Sequence, residues 1–296
     1  MRTLLIACLF ATAVCAQDVT IGGRVDLEAR LSRKVSFGFG PEAGLDLTFV
    51  QPGLLHGYAD LRINDDRLWL DEFYLMFPPT RRVVDVTLGR FRFPHGSRDL
   101  DRLDRYASGA PSFLTEDGDV LFDTYGQGLM LSREFDLGGF STLTGALYGV
   151  NTRGDNFAWG GQLEARRHGF QGVAGWFHGQ DKPGTNAYQV ILGGGWEGSG
   201  VSVLGHYLFG EATAGRHTGY QARLAYALPA ESRLPFDVFV ARTAYLGQTS
   251  PDHTTTRLGV GYRFGRFYRA ELRYELNEAP GDDGQDRLIA RLTAVF

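Results

Sequence analysis

The segment Arg24-Val25-Asp26-Leu27-Glu28-Ala29-Arg30-Leu31 alternates a charged residue with an apolar one at every step. An extended strand sends successive side chains to opposite faces, so this segment carries its charges on one face and its apolar groups on the other. A helix would scatter the same residues around its circumference. The pattern returns at 269–276. It recurs at 257–264, where Arg257, Gly259, Gly261 and Arg263 alternate with Leu258, Val260, Tyr262 and Phe264. At 287–296, Arg287 and Arg291 stand opposite Leu288, Ala290, Leu292, Ala294 and Phe296, so the period of two runs to the last residue. Such a chain needs sheets with one wet face and one greasy face.

A soluble sandwich meets that need by packing two greasy faces together. A closed membrane barrel meets it by turning the greasy face to lipid and the polar face to a lumen. Two features favour the barrel. The rhythm of a strand of about ten residues followed by a Gly, Pro, Asn or Asp turn persists along the whole chain, and the last alternating strand ends on an aromatic residue. In lipid every backbone group must be paired without a free edge, which forces closure. No apolar stretch approaches the roughly eighteen residues that a spanning helix needs. The 40 glycines lack the three-residue period of collagen, 43% apolar content argues against disorder, and a net charge of -4 gives no general drive toward nucleic acid.

The N-terminus reads as an export signal. Arg2 is followed by an apolar run over 4–14, and Val14 and Ala16 stand at minus three and minus one before Gln17. Cleavage is expected after Ala16, leaving 1–16 as signal peptide and 17–296 as one transmembrane barrel domain. A lipoprotein signal using Cys15 is the alternative, which the bulky Val14 fits poorly. Cys8 and Cys15 both fall in the leader, so the mature chain is free of thiols.

Sixteen strands are expected in preference to fourteen, near 19–31, 43–50, 54–63, 69–77, 83–93, 121–134, 140–150, 157–167, 170–179, 187–197, 201–210, 218–228, 236–246, 255–264, 267–277 and 286–296. The weakest alternation lies in the second strand and in the ninth and tenth, where Gly193-Gly194-Gly195 blurs it. If both termini lie in the periplasm, even-numbered connections face that side and should be short. They are: 51–53, 78–82, 135–139, 168–169, 198–200, 229–235 and 265–266. The odd-numbered set holds the longer pieces, the longest being 94–120.

With these features in hand, the sequence resembles the general porins of Gram-negative outer membranes. The resemblance rests on the leader, the alternation along the mature chain and the terminal Ala290-Arg291-Leu292-Thr293-Ala294-Val295-Phe296. It rests also on Asp71-Glu72-Phe73-Tyr74-Leu75-Met76-Phe77 followed by Val86-Thr87-Leu88-Gly89-Arg90-Phe91-Arg92-Phe93-Pro94-His95-Gly96, which looks like a hairpin of phosphate-selective porin O/P relatives. The resemblance implies an all-β antiparallel transmembrane barrel with a long third external loop folded into the lumen. It implies a water-filled channel giving passive diffusion to small hydrophilic solutes and ions, commonly as a homotrimer, with Phe296 as the signal for the barrel-assembly machinery. No cofactor, metal or nucleic acid is implied.

The third connection carries Arg98, Asp99, Asp101, Arg102, Asp104, Arg105, Glu116, Asp117 and Asp119, and is the expected constriction loop. The opposing wall would come from the first strand and the last three, whose wet faces carry Arg24, Arg30, Arg257, Arg263, Arg269, Arg273, Arg287 and Arg291, with Asp26, Glu28, Glu271 and Glu275 among them. A basic ladder facing an acidic loop would set a transverse field, with an anion lean if the arginines govern the narrowest point. The plainer alternative is that these residues pair across strands and only keep the lumen hydrated. Arg90 and Arg92 share a face with Val86 and Leu88. A bulge at Gly89 is expected to turn them, the alternative being that they snorkel at the membrane edge. Trp69, Phe77, Trp159, Trp176, Trp196 and Phe267 are candidate girdle residues.

An outer-membrane enzyme, of lipase or protease type, is the second class, and a non-conducting structural barrel the third. His56, His95, His168, His178, His206, His217 and His253 show no nucleophile-elbow or zinc-binding spacing. Gly193 to Gly198 matches a dinucleotide fingerprint but precedes a strand, so the helix that motif needs is missing.

Overall fold

The computed structural model describes residues 18–32, 37–52, 54–64, 68–78, 84–92, 94, 125–151, 157–180, 186–212, 215–228, 235–247, 253–264, 267–278 and 286–295. Within them lie sixteen strands. The first eight are β1 (Asp18–Ser32), β2 (Phe37–Gln51), β3 (Leu55–Asn64), β4 (Leu68–Phe77), β5 (Asp85–Arg92), β6 (Tyr125–Gly138), β7 (Ser141–Asn151) and β8 (Phe157–Arg167). The second eight are β9 (Phe170–Gln180), β10 (Asn186–Gly198), β11 (Val201–Ala212), β12 (Gly215–Ala227), β13 (Phe236–Gly247), β14 (His253–Phe264), β15 (Tyr268–Glu278) and β16 (Arg287–Val295). Every strand pairs antiparallel with its chain neighbour, and β16 pairs with β1, so the sheet closes. No described helix is long and apolar enough to cross a membrane.

The expected strands are all present, including the three with weak alternation. β2 is longer than its sequence pattern, because Phe37 and Phe39 continue the ladder against Leu31 and Ala29 of β1. At one end the connections are tight. His168-Gly169 and Ser199-Gly200 have positive φ at both residues, 49° and 83°, then 52° and 80°. Those are the mirror-image turns whose twist suits a two-residue hairpin. The longest gap between consecutive strands, between β5 and β6, opens at the other end.

The period of two decides which side of the wall each residue takes. Val25, Leu27, Leu258, Val260, Leu272, Leu288 and Leu292 are exposed on the outer face, while Arg24, Asp26, Glu28, Arg257, Arg269, Glu271, Arg273 and Glu275 are buried on the inner one. Aromatic rings flank the apolar band. Toward the tight-turn end, Phe170 lies 6.4 Å from Trp196 and Phe236 lies 4.8 Å from Tyr262. Toward the other end, Trp159 lies 6.5 Å from Trp176. Trp69 departs from the girdle expectation. It pairs with Arg62 and so shares the inner face.

The expected bulge at Gly89 is absent. The pairing of β5 with β4 and with β6 runs through Gly89 without a shift, and Arg90 stays exposed on the outer face. Gly89 has φ +135°, and a Cβ there would lie 2.8 Å from Tyr74 Cα, so glycine serves the backbone and not the register. The register shift falls instead between Asp60 and Leu61, where β3 meets β4.

Candidate functional site: the charged inner wall

On β13 to β16 and β1 the inner face is a lattice of alternating charge. Across the strands, Glu28 faces Arg291, which faces Glu271, and Arg287 faces Glu275, which faces Arg257. Arg257 Nε lies 3.1 Å from Glu275 Oε1, and Arg273 bridges Glu275 at 2.9 Å and Glu271 at 3.6 Å. Arg269 Nη2 donates to Glu271 at 3.3 Å and to Asp237 at 2.6 Å. The last contact spans an intervening strand. Gly261 on β14 makes it feasible, since a Cβ there would lie 2.7 Å from Arg269 Nη2 and 2.8 Å from Asp237 Oδ2.

The same lattice seals the join between the first and last strands. Arg291 Nε donates to Glu28 at 2.7 Å, Arg30 also donates to Glu28, Thr293 donates to Asp26 at 2.6 Å, and Arg24 pairs with Asp26 at 2.6 Å. Six of the eight predicted wall arginines, Arg24, Arg30, Arg257, Arg269, Arg273 and Arg291, therefore carry a carboxylate partner from the wall itself. Arg30 is the most open of the set, with its side chain 58% exposed. Arg263 and Arg287 are half-buried on the same face. The arginines share one wall, and their carboxylate partners lie on the same strand for Arg24, Arg30 and Arg273 and across strands for Arg257, Arg269 and Arg291.

Beside this wall lies a second charged sector. Asp46 on β2 stands directly opposite Asp60 on β3, which stands opposite Glu72 on β4. Arg62 donates to Asp60 at 3.0 Å and Tyr58 donates to Asp46 at 3.0 Å. These acids and Asp237 were not singled out in the sequence. Asp46, Asp60 and Asp237 sit at alternating positions that mark them as inward, whereas Glu72 follows Asp71 and faces inward through the register shift beside Asp60, and the adjacency of all these acids follows only from the register. A basic wall thus borders an acidic one within the barrel itself. The expected loop residues Arg98, Asp99, Asp101, Arg102, Asp104, Arg105, Glu116 and Asp117 lie outside the described residues, as do the leader and Phe296.

The inner face is not polar throughout. Phe91, Tyr148, Val150, Ala158, Phe177 and Ala187 form a buried cluster on β5 and β7 to β10, toward the end away from the tight turns, with Tyr74 and Met130 against it. Trp159, Trp176 and Tyr188, which alternate outward beside it, are as apolar as its members, so the local alternation gives no sign of this cluster.

A closed antiparallel barrel with a greasy exterior and an ionic interior defines a transmembrane β-barrel of the outer-membrane type. Comparison with solved structures agrees and narrows the fold to that of the general porins. The chain is similar to Salmonella typhi OmpF (TM-score 0.70, 12% identity, 94% of this chain and 97% of that one). It is similar to an anion-selective porin from Comamonas acidovorans (TM-score 0.67, 14% identity, 94% and 99%). It is also similar to OmpT, expressed in the outer membrane of Vibrio cholerae (TM-score 0.66, 12% identity, 94% and 97%). No protein-family model and no curated protein sequence matches.

Proposed function

We propose that the chain is a porin of a Gram-negative outer membrane, giving small hydrophilic solutes and ions passive passage through a water-filled lumen. The observation that carries this reading is the closed sixteen-strand barrel whose buried inner face holds arginines and carboxylates while its outer face is apolar. On this reading 1–16 is cleaved as a signal peptide, the tight turns face the periplasm, 94–120 narrows the lumen, and the eight wall arginines line the pore with a lean toward anions. Phe296 serves assembly. Kinship with porin O/P relatives rests on the hairpin motif alone.

A homotrimer belongs to the same proposal. Among the described residues, the outer faces of β16 and β1 to β5 carry no Trp or Tyr, whereas those of β8 to β15 carry Trp159, Trp176, Tyr207, Tyr220 and Tyr268. Interfacial aromatics belong where a wall meets lipid headgroups, and a wall covered by other subunits has no use for them.

Single-channel recording of the refolded mature chain in a planar bilayer tests the channel reading. Stable conductance steps are expected. Silence from a folded barrel would favour the enzyme or structural class instead.

A further inference from the structure

At the tight-turn end of β6 to β9 the outer face opens into a groove of about 570 Å³. Ala165 and Gly172, paired across β8 and β9, form its floor, and among the described residues a Cβ at Gly172 would meet nothing within 4 Å. Leu137 and Phe170 line it, 64% and 62% exposed. Arg167, the pairing partner of Phe170, lines it as well and is exposed.

A second cation lies on the same face. Arg133 stands two residues further from the turn than Phe135, and its guanidinium carbon lies 5.7 Å from the centre of the Phe135 ring, so the side chain runs toward the turn end. The carboxylates of these strands, Glu134, Asp136 and Glu164, alternate to the inner face, and Arg166, which also touches the groove, is held by Glu164 at 2.6 Å.

Phe140, in the turn between β6 and β7, is 89% exposed and has φ 60°, a left-handed backbone that aromatic residues rarely take. With Leu137 and Phe170 it leaves an apolar patch open at the edge of the groove, and a patch of that kind marks a surface that something apolar covers. The groove lies where the greasy band of the wall ends, beside the ring pair of Phe170 and Trp196. An apolar trough bordered by two guanidinium groups, with the carboxylates turned away, complements a molecule that joins an acyl chain to a phosphate.

We propose that this groove holds a phospholipid with an anionic head group from the leaflet at the tight-turn end, one acyl chain lying over Ala165 and Gly172 and the phosphate meeting Arg167 and Arg133. The inference requires that the outer face meets lipid, not that the lumen conducts.

Phosphatidylglycerol titrated into the detergent-folded mature chain and read by native mass spectrometry should bind more tightly than phosphatidylcholine, and far more tightly than a diacylglycerol, which has the chains without the phosphate. The dissociation constant of the first bound phosphatidylglycerol should rise about tenfold in Arg167→Gln and in Arg133→Gln, and likewise in Ala165→Phe, which fills the floor. Arg242→Gln, which removes an exposed arginine from the outer face of β13, should leave it unchanged. Equal binding of either comparison lipid, an unchanged constant in Arg167→Gln or Ala165→Phe, or the same loss in Arg242→Gln would overturn the site and leave only a nonspecific lipid shell. Conductance is not read, so either result leaves the channel reading as it stands.

Discussion

Replacing Arg269 and Arg273 together with glutamine separates a working charged wall from a merely hydrated one. Eight arginines on β1 and β14 to β16 face Asp26, Glu28, Asp237, Glu271 and Glu275, an excess of three positive charges that the double substitution reduces to one. A unit charge about 5 Å from a passing ion in water is worth about 0.8 kcal/mol, and screening at 0.1 M salt lowers that to about 0.5. Two lost charges therefore change the energy of a cation and of an anion by about 1 kcal/mol each, in opposite directions. The cation-to-anion permeability ratio should rise, by about thirtyfold at most.

The assay is the reversal potential of single channels under a tenfold KCl gradient, which should move to the cation-preferring side. Glu271→Gln, which removes a carboxylate contacted by both arginines, should move it the other way. If channels open normally and both variants keep the wild-type reversal potential, the lattice neutralises itself and the arginines have no part in selectivity.

Glu28→Gln should weaken the join between β1 and β16, because Glu28 accepts from both Arg291 and Arg30. The expected loss is about 2–4 kcal/mol, seen as a lower urea midpoint for the compact form on gels; an unchanged midpoint would remove Glu28 from the closure. Leu258→Arg puts a charge on the outer face, where Leu258 is 47% exposed, and should cost about 2–4 kcal/mol for folding into vesicles if the site lies near the bilayer centre. Free tolerance would contradict the assigned lipid face. Deleting Phe296 should lower the amount reaching the outer membrane in cells while leaving detergent refolding intact, and equal membrane yield would end the assembly role.

The alternation in Arg24 to Leu31 determined by itself which residues turn inward, because the facing of a side chain depends only on the pleat of its own strand. Strand number followed from the same local signal, down to the two-residue turn at His168-Gly169. Contacts between strands were not legible in that way. The reach of Arg269 over Gly261 to Asp237, the row of Asp46, Asp60 and Glu72, and the added length of β2 all depend on the register between neighbours.

At Gly89 local reasoning expected a bulge to bring Arg90 inward. The pairing instead keeps Arg90 outside and places the shift beside Asp60. The apolar cluster around Phe177 left no trace in the pattern, since Trp176, on the outward face beside it, is apolar as well. A single strand thus encodes its faces, whereas the pairing registers that bring particular charges together are properties of the closed barrel as a whole.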